Sequence, residues 1–138
     1  MTTCPECGAR YTAPDDSCTT RFHRLLALDH SRREPWGSRH GLAFAAYALQ
    51  HPGQFDSATA ARARALIIRV VVQGESLAHV VRELRSARAP RPVAAGGGAE
   101  SGVSFAVTIA DLGDFDAASY PEWLVRWCRA ALAPYPRG

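Results

Sequence analysis

The chain has 138 residues, of which 47% are hydrophobic and 21% charged, and a formal net charge of +3. That length implies one domain with a real core, since a chain of this size can bury about 70% of its unfolded surface, and the composition excludes full disorder. No apolar run approaches the roughly 20 residues of a membrane span, and the N-terminus lacks a basic-then-apolar signal pattern, so a cytoplasmic protein without a membrane partner is expected.

All 16 cationic side chains are arginine, and lysine and asparagine are absent. Together with abundant alanine, this reads as a GC-rich bacterial coding sequence rather than a functional signal. The small net charge disfavours nucleic acid as a partner.

Residues 1–17 have turn formers and little periodicity, and read as a small irregular lobe. From Ser17 or Cys18 to about Ser31 the pattern turns helical, with Phe22, Leu25, Leu26 and Asp29 on one side. Pro35 and Gly37 break the chain. A second helix is predicted from Ser38 or Arg39 to Gln50, striped by Leu42, Ala45, Ala46 and Leu49 and ended by His51-Pro52-Gly53. Asp56 or Ser57 can cap a third helix reaching Gln73, stopped by Gly74. Ser76 can cap a fourth, to about Arg88, with Leu77, Val80, Val81 and Leu84 inward and Arg82, Arg85 and Arg88 outward. Residues 89–102 read as a flexible linker. Val103, Phe105, Val107 and Ile109 then alternate with small or polar residues, which predicts a strand whose partner is the N-terminal lobe or a second subunit. Ser119-x-x-Glu122 is a capping-box signature for a last helix, with Leu124, Trp127, Cys128 and Ala131 facing the core. The expected fold is therefore mainly α: about five helices, a minor β element and an N-terminal zinc-knuckle-like lobe. Residues 1–138 form a single domain, divided into a metal-binding lobe (1–17), a helical body (18–88), the linker, and a strand plus C-terminal helix (103–138).

Three of the four cysteines cluster near the N-terminus: Cys4 and Cys7 in CPECG, then Cys18. Zinc wants four ligands at tetrahedral corners, and a Cys-x-x-Cys turn supplies two. This spacing in a cytosolic chain argues against a disulfide framework. A redox Cys-x-x-Cys normally opens a helix after a strand, whereas this one sits three residues from the terminus; free or redox thiols are the alternative to metal. Cys128, beside Trp127 on a helix, reads as a small buried apolar side chain.

The fourth ligand must come from His23, His30, His40, His51 or His79. His23 points about 140° away from Cys18 on their helix, and His30 lies about 18 Å along it. If the first two helices form an antiparallel hairpin, the default for a short connection, His51 returns to Cys18 and His40 lies next to Asp29. Cys18 and Asp29 are eleven residues apart, as are His40 and His51, so each pair shares a face but is split by about 16 Å along the axis. Two sites follow: Cys4, Cys7, Cys18 and His51 at one end, Asp29 and His40 at the other.

CPECG, SC-x3-FHRLLALD and WG-x2-H-x6-YALQHP resemble a bacterial domain-of-unknown-function family, number 5946, whose members read CPGCG, a later Cys opening a helix, LLAxE, and VHxLTVxxYxxQHP. Residues 103–133 resemble its end, TVADV followed by a Trp-bearing helix. Cys4, Cys7, Cys18, His40, Tyr47, Gln50, His51 and Pro52 fall on the pattern. Asp29 stands where Glu is usual, a histidine common in the third helix is absent from ARARALII, and Tyr120-Pro121 replaces one early in the last helix. The resemblance implies an intracellular, metal-binding domain with no established activity; any second site that those histidines make in relatives is lost or altered here.

Three readings of function follow. The first is a zinc-binding helical protein whose metal is mainly structural, because four saturated ligands leave no open position. The second is an enzyme modifying a small molecule, with an open metal position or with Asp29, His40 and Tyr47 as catalytic residues. A carboxylate beside imidazole fixes its tautomer and raises its basicity, and Tyr47 lies two turns from His40 on the same face. The third is a DNA-binding regulator using helices three and four as a helix-turn-helix-like hairpin. A small-molecule ligand and a homodimer are compatible with the sequence. Trp36, Trp123 and Trp127 read as core or rim packing.

Overall fold

The computed structural model describes residues 1–86 and 102–137. The predicted linker and Arg88 fall almost wholly outside them. The fold is mainly helical: α1 (Cys18–His30), α2 (His40–Gln50), α3 (Ser57–Ile67), α4 (Leu77–Ser86) and α5 (Tyr120–Ala131). Two small antiparallel ladders accompany them, β1 (Thr2–Thr3) with β2 (Arg10–Tyr11), and β3 (Val103–Ser104) with β4 (Tyr135–Pro136). Among the described residues no helix is long and apolar enough to cross a membrane.

Helix α2 is the centre of the molecule. Its alanines let neighbouring helices approach closely, and Leu42, Ala43, Ala45, Ala46, Tyr47, Ala48 and Gln50 are all buried, so it is covered on nearly every side rather than along one stripe. It packs chiefly against α3 and α5. Gln50, buried in this core, is hydrogen-bonded through both atoms of its amide: Oε1 accepts from Trp127 Nε1 at 2.9 Å, and Nε2 donates to the Val107 carbonyl at 2.8 Å. A buried amide left without those partners would cost about 1–3 kcal/mol. Trp127 and Cys128 are fully buried, and the Cys128 thiol donates to the Leu42 carbonyl at 3.7 Å.

Local chemistry starts and stops the helices. Ser17 Oγ accepts from Thr20 N at 3.2 Å and starts α1, which buries Cys18, Phe22, Leu25 and Asp29 on one face. Asp56 accepts from Thr59 N at 2.7 Å and starts α3. The predicted third helix runs α-helically only to Ile67. Residues Ile68–Val72 then widen into a π-helical turn, closed by Gln73 N donating to Ile68 O at 2.9 Å, and Gly74 ends the segment at φ +75°. Ser76 Oγ accepts from His79 N at 3.4 Å ahead of α4.

Two local expectations are corrected. The strand over residues 103–110 is only two residues long. Its partner is the chain's own C-terminal arm, and Pro136 has no N–H with which to extend the ladder. The Val107 carbonyl is spent on Gln50, and Phe105 and Ile109 are buried in the helical core. The Ser119–Glu122 capping box does not form: Ser119 Oγ bonds Asp116 and Glu122 pairs with Arg126. A capping box occurs instead at Thr108 and Asp111, on the short 3-10 turn Ile109–Leu112.

Candidate metal centre

The CPECG segment is a tight turn closing the β1–β2 ladder. Cys4 N donates to Ala9 O at 2.7 Å, Gly8 N to Cys4 O at 3.0 Å, and Ala9 N to the Cys7 sulfur at 3.4 Å. Gly8 is required twice. Its φ is +83°, and a Cβ there would lie 2.5 Å from Ser104 Oγ. Cys18 is the first residue of α1 and is buried on the face of that helix that meets the lobe. His51 follows the last residue of α2 with φ −132° and ψ 59°, which turns its ring back toward the sulfurs.

The α1–α2 hairpin thus brings Cys4, Cys7, Cys18 and His51 together. All four are buried, and their ligand atoms lie within 4.8 Å of one another. Cys7 Sγ and Cys18 Sγ are 3.5 Å apart, and the cysteines are free thiols. Around a tetrahedral ion with metal–sulfur bonds of about 2.3 Å, sulfurs would stand about 3.8 Å apart, so the donor set fits a single ion. The imidazole is prepared for the same task. His51 Nδ1 lies 2.9 Å from the Tyr47 carbonyl, which can only accept, so Nδ1 carries the proton and Nε2 offers a lone pair. That Nε2 is buried and has no hydrogen-bond partner. A ligand nitrogen without an ion leaves such an orphan, whereas a structural core histidine is normally satisfied.

The electrostatics of the bare cluster point the same way. The Cys4 sulfur accepts from Cys18 and Cys7 and is held well below the ordinary thiol range, while Cys18, donating to Cys4 and Cys7, is pushed far above it. Burial alone would lower His51; the nearby Cys4 and Cys7 sulfurs outweigh it and raise the imidazole to about 10. The buried Cys4 thiolate beside two further sulfurs therefore demands a cation here, either a proton or a metal ion.

Further side chains support the centre. Tyr47 stacks on His51 at 4.0 Å and on Phe22 at 3.9 Å, an aromatic column that fixes the His51 ring. Glu6, inside the Cys-x-x-Cys turn, accepts from Gly53 N and from Gln54 Nε2, tying the knuckle to the turn after His51. Arg137 donates to the Cys4 and Val103 carbonyls and to Ser104 Oγ, clamping the lobe from the C-terminal arm. Of these, Tyr47 is marked by the YALQHP segment, whereas nothing local marks Glu6 or Arg137.

At the other end of the hairpin, His40 Nδ1 lies 2.8 Å from Asp29 Oδ2, with the Asp29 side chain buried and His40 44% exposed. Burial raises the Asp29 carboxyl above the ordinary range, against the opposing pull of His40. Tyr47 does not join this pair. Two helical turns carry it about 10 Å along the axis, and its hydroxyl donates to Gln54 Oε1 at 3.0 Å, near Thr19 Oγ1 at 3.5 Å. The phenol at the Asp29 end is Tyr120, whose buried hydroxyl has no partner; burial and then the Asp29 charge raise its pKa. In the α3–α4 hairpin, Arg69 is taken up by Glu75 and Glu83, while Arg82 and Arg85 are exposed.

A model of a family of unknown function, DUF5946, matches residues 2–135. The chain belongs to that family. The match spans the knuckle, the hairpin and the C-terminal arm, so the Cys3His cluster lies within the DUF5946 domain itself. Comparisons with curated proteins and with solved structures give no match.

Proposed function

We propose that this DUF5946 member is a zinc protein whose metal is mainly structural, held by Cys4, Cys7, Cys18 and His51 and joining the N-terminal lobe to the α1–α2 hairpin. One observation carries the reading: the buried, unpartnered Nε2 of His51, with its tautomer set by the Tyr47 carbonyl, faces three buried sulfurs. Three thiolates and an imidazole within reach of one tetrahedral ion are the donors that suit zinc. Four protein donors fill the tetrahedron, which leaves no position for a substrate and supports a structural role over a catalytic one. Zinc–thiolate sites persist in a reducing compartment, in keeping with a cytoplasmic protein. The test is elemental analysis of protein purified without added metal, followed by chelation. One zinc per chain is expected, and removing it should loosen residues 1–18 before the helical body. A metal-free sample with an ordered N-terminal lobe would overturn the proposal.

A further inference from the structure

Helices α2, α3 and α4 line an open cleft of about 320 Å³ that includes His40, at the opposite end of α2 from His51. Each helix gives it one stripe. Phe44 and Ala45 come from α2, Ala63 and Leu66 from α3, and Val81 and Leu84 from α4. Gly41 sits where the three converge: a Cβ built on it would meet Val81, Leu77 and Leu66 at 3.5–3.7 Å. This apolar wall is interrupted by four polar side chains, His40, Thr59, Arg62 and Arg85. The volume lies at the small end of the range of about 300–1,000 Å³ typical of ligand pockets, and an apolar lining with a few convergent polar groups is their usual composition.

The charges in the cleft are one-sided. Among the described residues no Asp or Glu lines it. The neighbouring Arg69 is occupied by Glu75 and Glu83, but Arg62 and Arg85 make no hydrogen bond or ion pair with any described residue. Asp56, whose carboxylate caps α3, lies within electrostatic reach of Arg62. His40 is fixed on the wall by Asp29, with Nδ1 turned to the carboxylate and Nε2 left free. Two arginines that pair with no described carboxylate, lining an otherwise apolar wall, are complementary to an anion with a hydrocarbon body.

We propose that this cleft binds a small amphipathic organic anion, a carboxylate on a short apolar body. The carboxylate meets Arg62 and Arg85, and the body lies on Phe44, Leu66 and Leu84. This goes beyond the structural-metal reading and does not depend on it, because none of these residues touches the sulfur cluster.

The test is an amide-resolved NMR titration of the full, metal-loaded chain with octanoate, and with octanol and octylammonium as charge controls. Octanoate should saturate at one equivalent and shift the amides of Gly41, Phe44, Leu66 and Leu84. Octanol should bind at least tenfold more weakly and octylammonium should not bind. Combining Arg62→Gln with Arg85→Gln should weaken octanoate at least tenfold while leaving zinc content and the remaining spectrum unchanged. Three outcomes would each overturn the proposal: no saturable octanoate shift at those amides, equal binding of octanoate and octanol, or octanoate binding that the double variant does not weaken.

Discussion

Replacing His51 with alanine separates a metal ligand from an ordinary core residue, because the two roles respond differently to chelation. In the metal-free chain the ring's packing is lost, at about 3 kcal/mol for a fully buried aromatic-sized side chain. The Nδ1 bond to the Tyr47 carbonyl contributes about 1 kcal/mol more. Together these give a net loss of about 4 kcal/mol in the metal-free chain. Metal binding adds a further term. Losing a direct ligand should also cost at least the hundredfold in affinity that outer-shell changes can reach, or about 2.7 kcal/mol at fixed free metal. The loss then grows to about 7 kcal/mol. Urea unfolding of wild type and His51→Ala, each with saturating zinc and with a chelator, measures both values. His23→Ala, on the exposed side of α1, should change neither. Equal losses for His51→Ala under the two conditions would refute the ligand assignment.

Burial pushes the Cys128 thiol up to about 12, so it should stay inert to a thiol reagent in the native protein. Chelation should release Cys4, Cys7 and Cys18 to rapid labelling, and four equally reactive thiols would contradict this. Gly8→Ala should destabilise by about 1–2 kcal/mol through its positive φ alone, and should lower zinc retention because of the contact with Ser104. Gly41→Ala meets only ordinary van der Waals contacts, and thermal unfolding should show it neutral or up to about 1 kcal/mol stabilising. Asp29 has a folded pKa above the ordinary carboxylate value, so between those two values the folded state holds more protons than the unfolded one, and stability falls as pH rises through that window. The stability of wild type relative to Asp29→Asn should therefore decline as pH rises from about 4 and then level off; a pH-independent difference would contradict the burial argument.

The parts of the fold legible in the sequence are those set by local rules. Ser17, Asp56, Gly74 and the Pro52 break place helix ends to within a few residues, and eleven-residue spacings on two adjoining helices place Cys18 with His51 and Asp29 with His40. What escaped depends on neighbours far away in sequence. The alternation of residues 103–110 has the period of a strand, but burial of Phe105 and Ile109 against helices and capture of the Val107 carbonyl by Gln50 gave it another use. Tyr47 shares a face with His40, yet axial distance decides contact, and its ring ended against His51. The π-helical turn after Ile67 falls in a stretch rich in β-branched residues, which lowers helix propensity without marking where the ladder widens. Glu6 and Arg137 are ordinary surface residues until the chain brings Gly53 and Cys4 to them.

The central claim is that one zinc ion is held by three sulfurs and one nitrogen. X-ray absorption at the zinc edge of protein purified without added metal reads that shell directly. The account predicts three sulfur scatterers at about 2.3 Å and one nitrogen at about 2.0–2.1 Å, with the nitrogen replaced or lost in His51→Ala. A first shell of nitrogen and oxygen, a four-sulfur shell, or an unchanged shell in His51→Ala would contradict it.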